Sequence, residues 1–333
     1  MHNCLSFVAL LGASVTTLLS LNVHAQTDPF TPGFSGVLSL NGAYSQSQSQ
    51  HNTHDDNAIT ANLNNKGKTI NQASPMLLGR LQYSFGDTVI FLGNSEDQVT
   101  EANFQAELGM SQKLGRNSAI TGALFGSVPG QDEVWRDPYL TGVSRSASDQ
   151  SVSGVRFAWD LFGPLSVSLK YAYAKSEVDK DDIGLSQPLS QPQRSQLLRD
   201  SDYHRFGADL ALPFGQTVTF SPGMYYTQRN ATGDAHSFAE ISGQIAVVIH
   251  LTRHSFTTTL RGSRAEFDRE NPQFDRKQDY RSVGLFSVYS YHSPLNLPNT
   301  DLNVMAGYQT KDSDINFYSS ENLFLSTGMS YHF

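Results

Sequence analysis

From residue 34 onward the chain alternates apolar and polar side chains in blocks of about ten residues, the length of a strand tilted across a bilayer. In the first block one face reads Phe34, Gly36, Leu38, Leu40, Gly42 and Tyr44, and the other Ser35, Val37, Ser39, Asn41 and Ala43. Leu77, Gly79, Leu81, Tyr83 and Phe85 then stand opposite Arg80, Gln82 and Ser84. Phe104, Ala106, Leu108 and Met110 stand opposite Gln105, Glu107, Gly109, Ser111 and Lys113, and Leu165, Val167, Leu169, Tyr171 and Tyr173 opposite Ser166, Ser168 and Lys170. Successive side chains of a strand point to opposite sides, so each block reads as a strand with one apolar and one polar face. Aromatic residues recur at block ends, where a membrane barrel carries its interfacial girdles. A water-soluble sandwich alternates in the same way, so the pattern alone leaves two architectures open.

The connections separate them. Short Gly-bearing links occur at Phe85-Gly86-Asp87, Leu114-Gly115-Arg116-Asn117, Phe162-Gly163-Pro164 and Phe214-Gly215-Gln216; a further short connection lies near residues 252–254, and a longer Pro-rich one spans 293–299. Between them lie strand pairs joined by polar linkers, often long, at residues 45–74, 128–150, 176–200 and 265–279. Short turns at one end and long loops at the other are the asymmetry of an outer-membrane barrel. The expected fold is all-β, a transmembrane antiparallel up-and-down β-barrel of about fourteen strands with both termini periplasmic. Twelve is the alternative count, because residues 88–92 are short and residues 280–291 are ambiguous in facing.

Both chain ends carry an address. Residues 5–21 are apolar and small, and Val23-His24-Ala25 supplies the small residues that a signal peptidase reads, although Met1-His2-Asn3 contributes no Lys or Arg. The expected organisation is a removed signal peptide at 1–25, a periplasmic segment at 26–33 and a barrel at 34–333; an uncleaved anchor is the competing reading. The single cysteine, Cys4, lies in the leader, which excludes a disulfide framework or a thiolate site from the mature chain. At the other end Leu325, Thr327, Met329, Tyr331 and Phe333 share one face of a last strand that stops on Phe333. That pattern resembles the C-terminal assembly signal of bacterial outer-membrane barrels, read by strand pairing.

The stretches NLNNKGK (residues 62–68), EVWRDPYLTG (133–142) and DINFYSSENLFLSTGMSYHF (314–333) resemble segments of a family of uncharacterised outer-membrane barrels of Gram-negative proteobacteria, catalogued as a domain of unknown function. The resemblance covers residues 34–333. It implies an outer-membrane location and brings neither substrate nor catalytic residues.

Composition narrows the functions. A mean hydropathy of −0.35 excludes a helical membrane bundle, which needs runs of about 18 apolar residues. A net charge of −8 gives no basic footprint for nucleic acid. Only 16% of residues are charged and 11% are aromatic, which argues against disorder.

If the apolar face meets lipid, the other face lines the lumen and carries Arg80, Glu107, Lys113, Arg156, Asp160, Lys170, Arg205, Asp209, Glu240, His250 and Arg261. Charged linings set the selectivity of a water-filled pore, and a passive channel for small hydrophilic solutes is the first functional reading. Its alternative is a lumen closed by cross-paired side chains, since fourteen strands fall between filled and open barrels. In the loop at 128–150, Trp135, Asp137 and Tyr139 are candidates for a constriction or for stacking on a ligand ring, against simple local packing. Acidic and His-bearing loops at His51, His54, Asp55 and Asp56, at Asp179, Asp181, Asp182 and Gly184, and at Asp312, Asp314 and Asn316 hold incomplete ligand sets for a metal. They read as solvated loops that meet the cations bridging lipopolysaccharide. No cofactor or resident metal is expected. The remaining readings are a loop-mediated adhesin or structural barrel, and a hydrolase in the barrel wall built near Ser201, Asp202 and His204 or near Asp234, His236 and Ser237. The expected partners are membrane lipid and lipopolysaccharide, the assembly machinery and small polar solutes.

Overall fold

The computed structural model describes residues 28–95, 99–100 and 105–333, so the expected leader at 1–25 lies outside the described residues. The strands are β1 (Gly33–Gln48), β2 (Thr69–Ser84), β3 (Thr88–Asn94), β4 (Gln105–Lys113), β5 (Ser118–Ser127), β6 (Glu133–Trp135), β7 (Ala147–Leu161) and β8 (Ser166–Val178). There follow β9 (Ser201–Phe214), β10 (Val218–Ala231), β11 (Phe238–His250), β12 (His254–Phe267), β13 (Tyr280–His292), β14 (Thr300–Ser313) and β15 (Ser320–His332). Each pairs antiparallel with its sequence neighbour, except that β5 pairs directly with β7 and the short β6 pairs with the loop end of β7, Ala147 to Asp149, beyond the β5 pairing. β1 pairs with β15 from Val37↔His332 to Gln48↔Glu321, which closes a barrel of fourteen strands. Closure gives every strand of the ring a hydrogen-bonded neighbour on both sides, the condition for exposing strands to hydrocarbon.

The outside of the ring is apolar. Leu40, Leu77, Leu108, Leu124, Phe157, Ile241, Leu260 and Leu285 all project outward and are exposed. A contiguous apolar surface of this kind is untenable in water and native to a bilayer. Phe34, Tyr83, Phe85, Trp159, Phe214 and Tyr331 ring the short-turn end. Tyr44 and Tyr173 mark the other end, their hydroxyls donating to Asn71 (2.9 Å) and Asp202 (2.6 Å). Gly33 and Phe333 share the short-turn rim, where the Gly36 and Phe333 backbones exchange hydrogen bonds of 2.9 and 3.1 Å.

The strands outrun their expected limits at the long-loop end. The linker expected at 45–74 begins only after Gln48 and ends before Thr69, and β7, β8 and β12 likewise extend into the linkers expected at 128–150, 176–200 and 265–279. Gln46 and Asn71 face outward there and bond to each other at 2.9 Å. Above the lipid both faces of a strand meet water, so alternation stops while the ladder continues.

Inside, several aromatic rings lie flat on glycines of the next strand. Phe91 covers Gly109, Phe125 covers Gly154 and Tyr225 covers Gly207; a Cβ at any of the three would overlap the ring. The missing side chain lets each ring pack against the wall instead of crossing the lumen.

Candidate functional site: the lumen and its loop cap

All eleven charged or imidazole residues expected to line the lumen fall on the inward parity of their strands. Register brings most of them together. Arg156, Ala172, Arg205, Thr227 and Glu240 are consecutive cross-strand partners in one row from β7 to β11. At one end of the row, Arg156 grips Glu107 through two parallel bonds of 2.7 and 2.8 Å. Arg80 approaches the same carboxylate at 3.7 Å while its guanidinium lies 3.8 Å from the centroid of the Phe91 ring. Glu107 and Arg156 are both buried, and the bidentate geometry and the second cation offset their desolvation.

Asp209 organises the next group. Lys170 reaches it at 3.1 Å, and the Tyr225 hydroxyl donates to it at 2.6 Å. Gln244 bonds the Tyr225 hydroxyl at 3.1 Å, and Arg205 lies over the Tyr225 ring at 4.3 Å. Arg261 stands 3.7 Å from Glu240, whose other oxygen accepts from the Tyr280 hydroxyl at 2.7 Å. On the opposite wall Ser290 donates to Asn303 at 2.7 Å, Asn303 donates to Ser330, and Asn41 donates to Ser39 at 2.8 Å. The same wall holds buried Phe286, Met305 and Phe324 and, near the short-turn rim, Asp301 bonded to His292 and His332 at 2.9 Å each. Lys113 lies apart from these groups. At the short-turn rim it meets Asp28 at 3.4 Å and the ring of Phe30, which is buried against Val89 and Ala119. Asp160 and His250 also face inward near that rim. Tyr225, Tyr280 and Gln244 were missed by sequence reasoning. The parity that selected the charges selects them too, but it was applied to ionisable residues only.

The long loops meet over the mouth. Tyr139 from the β5–β7 connection, Ile183 and Leu197 from β8–β9, Ala235 from β10–β11, and Ile315, Phe317 and Tyr318 from β14–β15 form one buried cluster, with Leu63 and Phe274 packed on it. Loops rising from all around a ring can share a core only across its opening. At its centre the Tyr139 and Tyr318 hydroxyls bond each other, and the Asn271 amide donates to both at 2.9 Å. Burial pushes the Tyr139 phenol up to about 12 and Tyr318 also well above its ordinary value. Both phenols stay neutral donors and acceptors.

Trp135 and Asp137 complete the cap. The Trp135 indole donates to the Gln50 carbonyl at 3.0 Å, and Asp137 accepts from the backbone N–H groups of Tyr139, Gly184 and Ser186. Arg145, buried over the Trp135 ring, donates to the carbonyls of Gln50, Asn57, Ala58 and Pro138 and so ties two loops together. Burial lowers its guanidinium to about 10. Trp135 and Tyr139 therefore have their rings enclosed by the cap, whereas Val99, from the β3–β4 connection, packs within the barrel against the inward cluster of Phe125, Val152, Ala172, Ala174 and Tyr203.

The other candidates are dispersed. His204 bonds the Tyr171 hydroxyl at 2.9 Å and Asp202 that of Tyr173, both outside the wall, while Ser201 turns inward to the Arg199 carbonyl. His236 is buried in the cap beside Gln278, and Ser237 bonds the Ala231 backbone. His51 stacks on Tyr318, the His54 ring accepts from the Asp56 backbone N–H, Asp181 pairs with Arg199 and Asp182 with Arg136. Among the described residues no group of three or more His, Cys, Asp or Glu side chains is arranged to hold a metal ion.

A family model described as "Protein of unknown function (DUF2860)" matches residues 33–332, and the chain belongs to that family. Among solved structures it is similar to the CymD monoaromatic hydrocarbon channel, at 9% identity and a TM-score of 0.48 over 100% of this chain and 99% of that one. A Pseudomonas aeruginosa FadL homologue matches at 10% identity and a TM-score of 0.46 over 91% of both chains. The outer membrane channel DcaP of Acinetobacter baumannii matches at 10% identity and 0.45 over 90% and 98%. No curated protein matches the chain.

Proposed function

We propose that this member of the DUF2860 family is a bacterial outer-membrane channel for passive diffusion of small hydrophilic solutes, entered through the loop cap. The observation that carries this reading is the inward wall: charged side chains on β2, β4 and β7 to β12 share it with buried apolar ones such as Phe91, Phe125 and Phe286, behind an exterior that is apolar throughout. A barrel that served only as an anchor would have no need of charges in its lumen, where each costs desolvation. In this reading the leader at 1–25 is cleaved on export, the short turns and both chain ends face the periplasm, and the capped end faces outside. The outward face of β15 then serves the assembly machinery, and the polar outer rim meets lipopolysaccharide. Transport requires the cap core to part, because its loops lie across the mouth.

Planar-bilayer recording of the refolded protein tests the reading. Stepwise conductance is expected, larger in a variant whose cap is loosened by Arg145→Met. Silence from both proteins at every voltage would remove it. A second reading, a barrel that displays its loops as an adhesive surface, draws on the same packed cap, which holds those loops in one rigid arrangement. Binding of intact cells to matrix that is lost when loop residues 128–146 are deleted, without conductance, would favour it.

A further inference from the structure

We infer that the outer face of the barrel holds a phospholipid at one fixed site, with an acyl chain in a groove floored by Gly122 and the phosphate on Arg116. The inference needs the barrel to sit in a membrane and does not need it to conduct.

The groove follows from two cross-strand rows on the outward parity of β4, β5, β7 and β8. Met110, Gly122 and Phe157 are consecutive partners in one row; Gln112, Ile120, Trp159 and Leu169 are partners in the next row toward the short turns. Gly122 has no side chain, so the first row is interrupted between two large ones and the wall is hollowed there. The hollow measures about 590 Å³, within the roughly 300–1,000 Å³ of sites that hold a small organic ligand. Met110, Ile120, Phe157 and Trp159 line it and are exposed. An acyl chain laid there meets protein on its floor and flanks, where a smooth wall offers one side only. Arg116 and Gly122 are about 20 Å apart along the strand. At a tilt of about 40° that is a depth of about 15 Å, half the hydrocarbon core. The groove therefore runs from the membrane surface to the midplane, the reach of a chain in one leaflet.

The mouth of the groove carries a cation. Among the short turns only those at Arg116 and Arg253 contain a Lys or Arg, and Arg253 donates to Asn296 at 3.1 Å. Arg116 is exposed and has no hydrogen bond or ion pair among the described residues. Gln112 lies between the turn and the hollow. Its amide oxygen accepts from the Thr88 hydroxyl at 2.6 Å and its nitrogen donates to the Lys113 carbonyl at 3.2 Å. One amide N–H is left for an ester carbonyl. A phospholipid presents phosphate, ester and chain in the order in which Arg116, Gln112 and the hollow follow one another down the wall.

The test is native mass spectrometry of the detergent-purified barrel with chain-brominated phosphatidylglycerol added, alongside Trp159 fluorescence in a Trp135→Phe background. One lipid is expected to stay on each barrel and to quench Trp159, which lines the groove. Gly122→Leu fills the hollow and is expected to abolish both signals while keeping the heat-dependent gel mobility of a closed barrel. A Cβ at Gly122 would stand 3.6 Å from the nearest atom of Phe157, an ordinary contact. Gly122→Ala therefore stands in if the leucine blocks assembly, with a partial loss expected. Arg116→Gln is expected to weaken retention about fivefold, the contribution of one cation at a charged membrane surface. No retained lipid, a retained lipid that leaves Trp159 unquenched, or retention unchanged in either folded variant overturns the inference. A dimer of barrels that dissociates in Gly122→Leu also overturns it, by giving the groove to a second copy of the chain.

Discussion

Glu107 is the residue on which the charged wall turns. Its carboxylate is buried between Arg156, also buried, and Arg80. Glu107→Gln keeps the shape and removes the charge that the buried Arg156 guanidinium grips with two bonds. The expected cost is about 3 kcal/mol, because a buried ion pair is broken from one side. Urea unfolding in detergent measures it, and a loss below about 0.5 kcal/mol, the range of ordinary surface changes, would show that the pair is not desolvated as argued. The sequence made Glu107 and Arg156 legible as inward residues through parity. Their contact is set by the pairing of β4 with β5 and of β5 with β7, which skips β6, and no spacing in the chain encodes that skip.

At the scale of elements, the cap and the seam behave differently. The cap contains His236, whose imidazole is held well below its usual range by burial first, and then by the charges of Arg229, Arg199 and His51. Its Nε2 has no hydrogen-bond partner among the described residues. A depressed folded pKa means that the neutral ring supports the folded cap above pH 6.5. That support is lost as pH falls below 6.5, where the unfolded cap takes up the proton and the folded one resists it. In a Trp159→Phe background, Trp135 fluorescence is expected to report opening of the cap as pH falls below 6.5, and His236→Phe should flatten the profile. An unchanged profile in that variant would place the acid sensitivity elsewhere. At the seam, Gly328 of β15 lies against the backbone of Leu40 and Asn41 so closely that a Cβ would overlap both. Gly328→Ala is expected to impair closure of β1 on β15, seen as loss of the fast-migrating unboiled form on a denaturing gel. The strands were legible because alternation survives wherever one face meets lipid. The cap was not, because its core joins Tyr139 to Tyr318 across residues far apart in the chain.

For the whole molecule the decisive property is which side faces lipid. Leu40 sits at the middle of β1, exposed and paired with Leu77 and Met329. In a water-soluble protein, Leu40→Arg at such an exposed position would be nearly silent. Here it is expected to cost about 2–4 kcal/mol in a bilayer, the penalty of a guanidinium at mid-depth on a barrel exterior. Unfolding titrations in lipid vesicles would show it, and a neutral result would sink the membrane assignment. The sequence by itself determined the class: a period of two fixes which side chains share a face, and the alternation of short turns with long loops fixes an up-and-down ring with two unlike ends. Both are local properties, carried by neighbours along one strand. Tertiary structure alone decided between fourteen strands and twelve, which inward charges meet across the strands, and that the long loops pack into one core across the mouth. These depend on register between strands and on contacts between loops distant in sequence, which a one-dimensional pattern of polarity does not carry.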